Sequence, residues 1–276
     1  MKSAAEIKES VKEIYSEIAN QSAEENATSC CGVGGCSTVD HEIFAEDYSK
    51  MKGYSEDADL GLGCGIPTEF ALIEEGYTVL DLGSGAGNDC FVARAMVGEK
   101  GKVIGVDMTE TMVTKARANA DKLNYNNVEF RLGDIENLPI GGESIDVVVS
   151  NCVLNLVPNK LKAFEETYRV LRAGGHFSVS DVVLKGELPA SLKNDAEMYA
   201  GCVSGAIQIE DYLGKIQQAG FEGIKVQKEK EVFLPDAILS KYMSADEIKD
   251  FRVNEIGVYS ITVFGQKPEC GPGCCC

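Results

Sequence analysis

Short apolar runs alternate with longer amphipathic stretches along most of this sequence. Strands are predicted at 78–82, 102–106, 127–132, 145–150, 175–181, 223–233 and 257–265. Among them, 78–82 and 102–106 are short apolar runs typical of buried strands. Apolar residues at helical spacing predict helices over 88–97, 110–122, 158–171, 208–219 and 244–250. Alternating strands and helices are typical of a doubly wound α/β fold with a mostly parallel sheet.

Segments outside this alternation predict further regions. An amphipathic helix over 4–20 is expected to pack on the core, a short helix is predicted over 41–48, and an acidic helical insert over 190–204. We therefore expect an N-terminal helix with a cysteine-rich cap segment, a ligand-binding core, an insert with the closing strands, and a flexible cysteine-rich tail. Their predicted bounds are 1–66, 67–182, 183–266 and 267–276.

The first strand of the core leads into a glycine-rich loop that suits a ligand. Gly83 and Gly85 follow this strand and precede a helix, so a ligand can approach the backbone closely. Asp107 ends the second strand, where a carboxylate can accept both ribose hydroxyls of a nucleoside. Asp134 follows the third strand, where an acidic side chain can meet an adenine amino group. These positions predict an adenosine-like ligand.

The charges around this loop favour a cationic ligand. The dinucleotide-binding fingerprint has a third glycine where this chain has Asn88. Asp81 and Asp89 flank the loop, and no Lys or Arg lies between Gly83 and Cys90. A pyrophosphate would be poorly matched here, whereas a cationic sulfonium would be well matched.

The composition is that of an acidic protein. The formal net charge is −18 over 276 residues, so the basic footprint of a nucleic-acid-binding protein is missing. The N-terminal residues lack the apolar region of a signal peptide, and no apolar run approaches the length of a membrane span. We expect a cytoplasmic protein that binds a small molecule, with no nucleic-acid or membrane partner.

Cysteine is the abundant reactive residue. There are 11 cysteines and 2 histidines. An odd number of cysteines in a cytoplasmic chain argues against a disulfide framework and for thiol chemistry or soft-metal binding. A zinc site would have to be all-cysteine or mixed with carboxylates.

Three of these cysteines are able to converge on the predicted fold. Cys152 follows the fourth strand, Cys64 lies ahead of the first strand, and Cys202 lies on the insert after the fifth strand. Each is thereby placed near the carboxyl edge of the sheet, where open α/β sheets bind ligands. Three thiolates around one open position suit a soft, thiophilic centre. Cys90, on the helix after the glycine loop, is expected to be a packed core residue.

Four motifs together resemble those of arsenite S-adenosylmethionine (SAM) methyltransferases. They lie at 61–65, 81–90, 150–158 and 201–206, and the resemblance covers roughly residues 5 to 267. It implies the seven-stranded, Rossmann-like sheet of class I methyltransferases, with the last strand antiparallel. It also implies an N-terminal cap near the cofactor and a small C-terminal insert that carries part of the arsenic site.

The same resemblance implies a reaction and its residues. A methyl group passes from SAM to arsenic(III), which is bound by Cys64, Cys152 and Cys202. The arsenic lone pair attacks the methyl carbon, so the nucleophile carries no proton and needs no general base. Asn155 and Leu156 would flank the methionine end of the cofactor. The cofactor-binding residues are expected to be Asp81, Gly83, Ser84, Gly85, Asp107, Met108, Asp134, Ile135, Asn151 and Leu156.

In this family a further N-terminal cysteine forms a disulfide with the cysteine of the first motif, here Cys64. Cys30 fits that position best, and Cys31 or Cys36 are alternatives. Each transfer formally oxidises arsenic, and nearby thiols can return it to the trivalent state by forming a disulfide such as Cys30–Cys64. An external thiol reductant, glutathione or thioredoxin, must then reduce that disulfide. Methylated arsenicals are the product of such a detoxification reaction.

Two other functions fit parts of the sequence. A SAM methyltransferase for a small organic metabolite would use the same sheet, and its cysteines would be structural. A non-catalytic carrier would bind a metalloid or zinc through its cysteines without turning over SAM. The intact glycine loop and Asp107 argue against the carrier.

Overall fold

The computed structural model describes residues 3–20, 46–187, 205–233, 236–240, 243–254 and 256–269. Within them seven strands form one sheet in the order β3-β2-β1-β4-β5-β7-β6. Strand β7 is antiparallel to β5 and β6, and the other neighbouring strands run parallel. The strands are β1 Thr78–Leu82, β2 Lys102–Asp107, β3 Val128–Leu132, β4 Ile145–Asn151, β5 Leu171–Lys185, β6 Glu222–Glu231 and β7 Gly257–Gln266.

Helices cover both faces of this sheet. They are α1 Ala4–Asn20, α2 Asn88–Val97, α3 Glu110–Leu123, α4 Lys160–Val170, α5 Ile209–Gln218, α6 Asp236–Leu239 and α7 Ala245–Val253. Leu80 and Leu82 of β1 pack with α4 and α5, whereas Val79 packs with α2 and α3 on the opposite face. Burial on both faces explains why β1, β2 and β4 are mainly apolar, whereas the edge strand β3 is only partly buried. The structure is the doubly wound, seven-stranded fold that the sequence predicts.

The fifth strand is longer than the predicted 175–181. It begins at Leu171, which is buried opposite Ile145, and it continues to Lys185, which pairs with β7. The register shifts between Ile145 and Val147, and Gly174 has a φ of 77° there. The glycines at 174 and 175 therefore lie at an irregularity within the strand, which is a usual place for glycine in a strand.

Some predicted elements lie outside the described residues, including most of the helix over 41–48 and the insert over 190–204. Tyr48 begins a short 3₁₀ turn, Tyr48–Lys50. No helix in the described ranges is long and apolar enough to cross a membrane.

Candidate active site

An open cleft lies at the carboxyl ends of β1, β2 and β4. The strand order reverses between β1 and β4, and such a switch point is where doubly wound sheets bind ligands. The cleft contains about 1060 Å³ of space, including part that is open to solvent. All ten residues expected to bind a cofactor line it: Asp81, Gly83, Ser84, Gly85, Asp107, Met108, Asp134, Ile135, Asn151 and Leu156.

The loop between β1 and α2 forms one wall of the cleft. Gly83 has a φ of 67°, and a Cβ there would lie 2.4 Å from a methyl group of Val153. Gly85 has a φ of 49°, and no atom lies within 4 Å of where its Cβ would be. Gly83 is therefore required by close packing, whereas Gly85 combines a left-handed backbone with open space beside it.

Asp107 joins this loop to the end of β2. Its Oδ2 accepts a hydrogen bond from the Gly85 backbone amide at 3.0 Å, and its Oδ1 accepts one from the Thr109 amide at 2.8 Å. Burial raises the pKa of Asp107, while these backbone hydrogen bonds act in the opposite direction. The Thr109 side chain and the Met108 amide also hydrogen-bond to this carboxylate. Asp107 lines the cleft, where carboxylate oxygens are acceptors for ligand hydroxyl groups.

The lining is strongly acidic. Of the described residues that line the cleft, the acidic ones are Asp59, Asp81, Asp89, Asp107 and Asp134. The basic residue among them is Lys8 of α1, whose Nζ lies 2.6 Å from Asp134 Oδ2 and also contacts Glu136. The remaining carboxylates favour a cationic ligand, as the sequence predicts.

Helix α1 both packs on the core and borders the cleft. Ile18 and Ala19 are buried against α3 and its neighbours. Lys8, Val11 and Tyr15, nearer the helix N-terminus, line the cleft. The amphipathic pattern of this helix predicts the packing, and its proximity to the cleft fits the cap that the family resemblance implies.

Asp89 and Tyr48 belong to the cleft, although the sequence analysis assigned no binding role to either. Tyr48 Oη donates a hydrogen bond to Asp89 Oδ1 at 2.8 Å. Burial raises the pKa of Asp89 to about 6, and the hydrogen bonds from Tyr48 and Asn151 limit this rise. Asp89 was visible in the sequence as an acidic residue beside the loop, but no motif pointed to Tyr48.

Two of the predicted arsenic-binding cysteines lie together beside the cleft. Cys64 and Cys152 are 1% and 3% exposed and belong to one apolar cluster that includes Val182 and Val258. Cys152 also lines the cleft. Its φ is 59°, a left-handed conformation that disfavours side chains, and its amide donates to the Ser180 carbonyl at 2.8 Å. Backbone strain of this kind is concentrated at functional sites.

The glycines on either side of Cys64 seat its loop against the sheet. A Cβ on Gly63 would lie 2.6 Å from Asn151 Nδ2, and a Cβ on Gly65 would lie 2.6 Å from Ser180 Oγ. The Cys64 carbonyl accepts a hydrogen bond from Ser260 of β7. The motif at 61–65 therefore places a thiol where the backbone must pass close to β4, β5 and β7.

Other predicted site residues differ in their placement. Asn155 does not line the cleft with Leu156; it is buried, and its Nδ2 donates to the Val182 carbonyl at 2.8 Å. Cys90 is buried in the core, where its Sγ donates to Asp81 Oδ2 at 3.2 Å. Cys30, Cys31, Cys36, Cys202 and the tail cysteines lie outside the described residues.

A buried carboxyl lies close to the thiols. Asp181 of β5 precedes Val182 of the cysteine cluster, and Tyr212 Oη donates to its Oδ2 at 3.1 Å. Burial raises the pKa of Asp181 to about 7, although the amide of Val182 and the charge of Lys160 lower it. The folded protein therefore holds this proton more tightly than the unfolded chain does.

This proton predicts a pH dependence of stability. The protonated Asp181 contributes fully to the stability of the fold below the ordinary aspartate pKa, and this contribution is lost as the pH rises through about 7. Between pH 5 and pH 8, ionisation of Asp181 is expected to lower the free energy of unfolding of the wild type by about 2–3 kcal/mol. The variant Asp181→Asn should not show this decrease. Urea denaturation of both proteins at several pH values measures this difference. Parallel stability–pH curves would contradict the prediction.

Comparison with known proteins identifies the family. A family model described as a methyltransferase domain matches residues 73–220. The chain is 41% identical to an arsenite methyltransferase of Halobacterium salinarum, over 95% of this chain and 67% of that protein. It is 31% identical to an arsenite methyltransferase of Aquipseudomonas alcaligenes, over 95% of this chain and 74% of that protein.

A solved structure agrees. The crystal structure of an arsenic(III) S-adenosylmethionine methyltransferase from Chlamydomonas reinhardtii is 37% identical, with a TM-score of 0.61. The match covers 76% of this chain and 68% of that one. The human arsenite methyltransferase is also similar, and the chain spans 58% of its length. The chain therefore belongs to the arsenite methyltransferase family, within the class I SAM-dependent methyltransferases.

Proposed function

We propose that this protein transfers a methyl group from SAM to arsenic(III) bound by the thiols of Cys64, Cys152 and Cys202. The observation that carries the proposal is the burial of Cys64 and Cys152 in one apolar cluster beside an acidic cleft. Two cysteines that are distant in sequence share this position, as a common ligand would require. The names of the similar proteins support the same substrate.

The residues of the cleft fit SAM. Gly83 and Gly85 leave the backbone accessible, the carboxylate of Asp107 lines the cleft as an acceptor for ribose hydroxyls, and the acidic residues that form no ion pair with Lys8 match a positive charge. Asp81, Ser84, Met108, Asp134, Ile135 and Leu156 complete the proposed set. When bound there, SAM supplies an activated methyl group on a sulfonium.

The cysteines bind and orient the nucleophile. Each thiol proton leaves with a hydroxide of arsenite as water, so arsenic bound by three thiolates is neutral. A neutral complex suits the apolar cluster that contains Cys64 and Cys152, because burying an uncompensated charge is costly. The arsenic lone pair carries no proton, so the attack needs no general base. The contribution of the protein is orientation and exclusion of water.

We further propose a thiol redox cycle for regeneration of arsenic(III). Cys64 would form a disulfide with Cys30, or with Cys31 or Cys36, while two electrons pass to the oxidised arsenic. Glutathione or thioredoxin would then reduce the disulfide, which places the reaction in a reducing compartment such as the cytoplasm.

A direct assay tests the reaction. The purified protein is incubated with SAM, arsenite and either glutathione or thioredoxin, and the arsenic species are separated by liquid chromatography with element-specific detection. We expect methylated arsenicals to form together with S-adenosylhomocysteine, one molecule of S-adenosylhomocysteine for each methyl group transferred. SAM turnover on an organic acceptor alone would favour the metabolite enzyme, whereas arsenic binding without turnover would favour the carrier.

Asp107→Ala is expected to weaken SAM binding. The variant loses the acceptor for the ribose hydroxyls, which lowers the affinity by about 1–3 kcal/mol, the scale of hydrogen bonds to a charged group. Isothermal titration calorimetry measures the SAM affinity, and titration with arsenite measures thiol binding, which should be nearly unchanged. Equal losses of both affinities would contradict a separate nucleoside role for Asp107.

A further inference from the structure

The side-chain amide of Asn151 holds the loop that carries Cys64. Asn151 Oδ1 accepts a hydrogen bond from the Cys64 amide at 3.0 Å, and Nδ2 donates to the Gly65 carbonyl at 2.8 Å. These two bonds fix the backbone on both sides of the Cys64 side chain. Asn151 directly precedes Cys152, so one residue connects the two buried thiols.

Two neighbouring groups determine the orientation of this amide. Asn151 Nδ2 also lies 2.8 Å from Tyr48 Oη and 3.2 Å from Asp89 Oδ2. A flipped amide would place its oxygen against the Gly65 carbonyl and the Asp89 carboxylate, which are both acceptors. The Tyr48 hydroxyl in turn lies 2.8 Å from Asp89 Oδ1 and 3.0 Å from the Gly65 carbonyl, which are both acceptors for its hydrogen. The groups around Nδ2 therefore favour one orientation of Asn151.

Asn151 lines the cleft, and the sequence analysis placed it among the cofactor-binding residues. Both Nδ2 hydrogens, however, are directed to Gly65 and to the Tyr48–Asp89 pair, and Oδ1 bonds to Cys64. A Cβ on Gly63 would approach Nδ2 to 2.6 Å, so the loop passes Asn151 as closely as a glycine permits. The donors of this amide are used within the protein.

We propose that Asn151 is a positioning residue that sets Cys64 beside Cys152 so that both sulfurs bind one arsenic atom. This inference rests on the proposed arsenic chemistry and assigns Asn151 to it rather than to SAM. Loss of the amide would release the backbone on both sides of Cys64. A misplacement of about 1 Å in a reacting group can reduce a rate on the order of 100-fold.

Asn151→Ser is the test, because a serine hydroxyl is too short to bridge Cys64 and Gly65. Asn127→Ser is the matched control: Asn127 Nδ2 donates to the carbonyls of Gly98 and Gly101 at 2.8 and 2.9 Å, and Asn127 is not part of the cleft lining. Three quantities are measured on the full chain: the SAM dissociation constant, the KM for arsenite, and the rate of iodoacetamide labelling at each cysteine by peptide mass spectrometry.

For Asn151→Ser we expect Cys64 labelling and the KM for arsenite to rise at least about 10-fold, as for loss of a group that orients a metal ligand. The SAM dissociation constant should stay within about threefold, since Asn151 donors serve the protein. Labelling of Cys90, a buried thiol in the core, serves as the internal reference and should not change. Asn127→Ser should leave all three quantities as in the wild type.

Other outcomes overturn the inference. A loss of SAM affinity alone would make Asn151 a cofactor ligand. If none of the three quantities changes, Asn151 does not position Cys64. Weaker SAM binding together with a higher KM for arsenite and faster Cys64 labelling would show that Asn151 supports the fold in general. If Asn151→Ser does not fold, Asn151→Asp decides, because it keeps an acceptor for the Cys64 amide and removes the amide donor to Gly65: faster Cys64 labelling with unchanged SAM affinity supports positioning, and unchanged labelling refutes it. A wild type that does not methylate arsenite refutes the proposed function, while the labelling result still shows whether Asn151 holds Cys64.

Discussion

Replacing Cys152 with serine is expected to reduce methylation of arsenite and of monomethylarsenite by more than about 100-fold, because even residues that only orient metal ligands contribute about 10–100-fold. Cys152 lies where β4 ends, lines the cleft and is buried with Cys64. Arsenite and monomethylarsenite would both need Cys152 as a ligand, whether or not a methyl group has replaced one hydroxyl group on the arsenic. A serine hydroxyl is a hard ligand that does not replace a soft thiolate for arsenic.

The measurement is the rate of product formation with each arsenical at saturating SAM. Cys90→Ser is the matched control, since Cys90 is also buried and its serine can still donate to Asp81. Thermal unfolding and SAM calorimetry verify that both variants fold and bind cofactor. Near wild-type turnover of monomethylarsenite by Cys152→Ser would show that the proposed arsenic site is wrong.

The sheet was predictable because its signals are local. Strands β1, β2 and β4 are largely buried and are therefore mainly apolar runs, and each of the helices α2 to α5 begins and ends within a few residues of its predicted bounds. The additional length of β5 was not predictable, because Leu171 and Lys185 join the strand through pairing with β4 and β7. Pairing of this kind depends on the neighbouring strands rather than on local sequence.

The candidate site also has a part that the local sequence predicts and a part that it does not. The glycine loop and Asp107 carry their own pattern, so their place at the cleft follows from the strand ends. The contacts that the sequence does not reveal join distant segments: Lys8 to Asp134, and Tyr48 to Asp89. Polar contacts between distant segments have no periodicity, so only the folded chain brings them together.

The roles of the asparagines also required the structure. Asn151 and Asn155 lie in one predicted ligand motif, but Asn151 bonds to the Cys64 loop, whereas Asn155 bonds to Val182. The difference arises from the turn at Cys152, whose left-handed backbone changes the direction of the chain after β4. Spacing within a motif does not determine which residues face a cleft once the backbone has turned.

Replacing Cys64 with serine is expected to separate the two methylation steps. Inorganic arsenite offers three exchangeable positions to thiolates, whereas a monomethylated arsenic has two left. Cys152 and Cys202 together would still hold the monomethyl species, so Cys64→Ser should lose arsenite methylation by more than about 100-fold and retain measurable activity on monomethylarsenite, since only the first substrate loses a ligand it needs.

This difference between the two substrates is expected only if Cys64 acts as one of the thiol ligands of arsenic. General damage to the loop would lower both rates together, because Cys64 is buried between β4, β5 and β7. Steady-state rates with each arsenical, measured with an excess of reductant, distinguish these cases, and Cys152→Ser, which should lose both activities, is the reference. Equal losses on both substrates in a folded, SAM-binding Cys64→Ser protein would show that Cys64 is required at every step, and the assignment of two thiolates to the second methylation would be wrong.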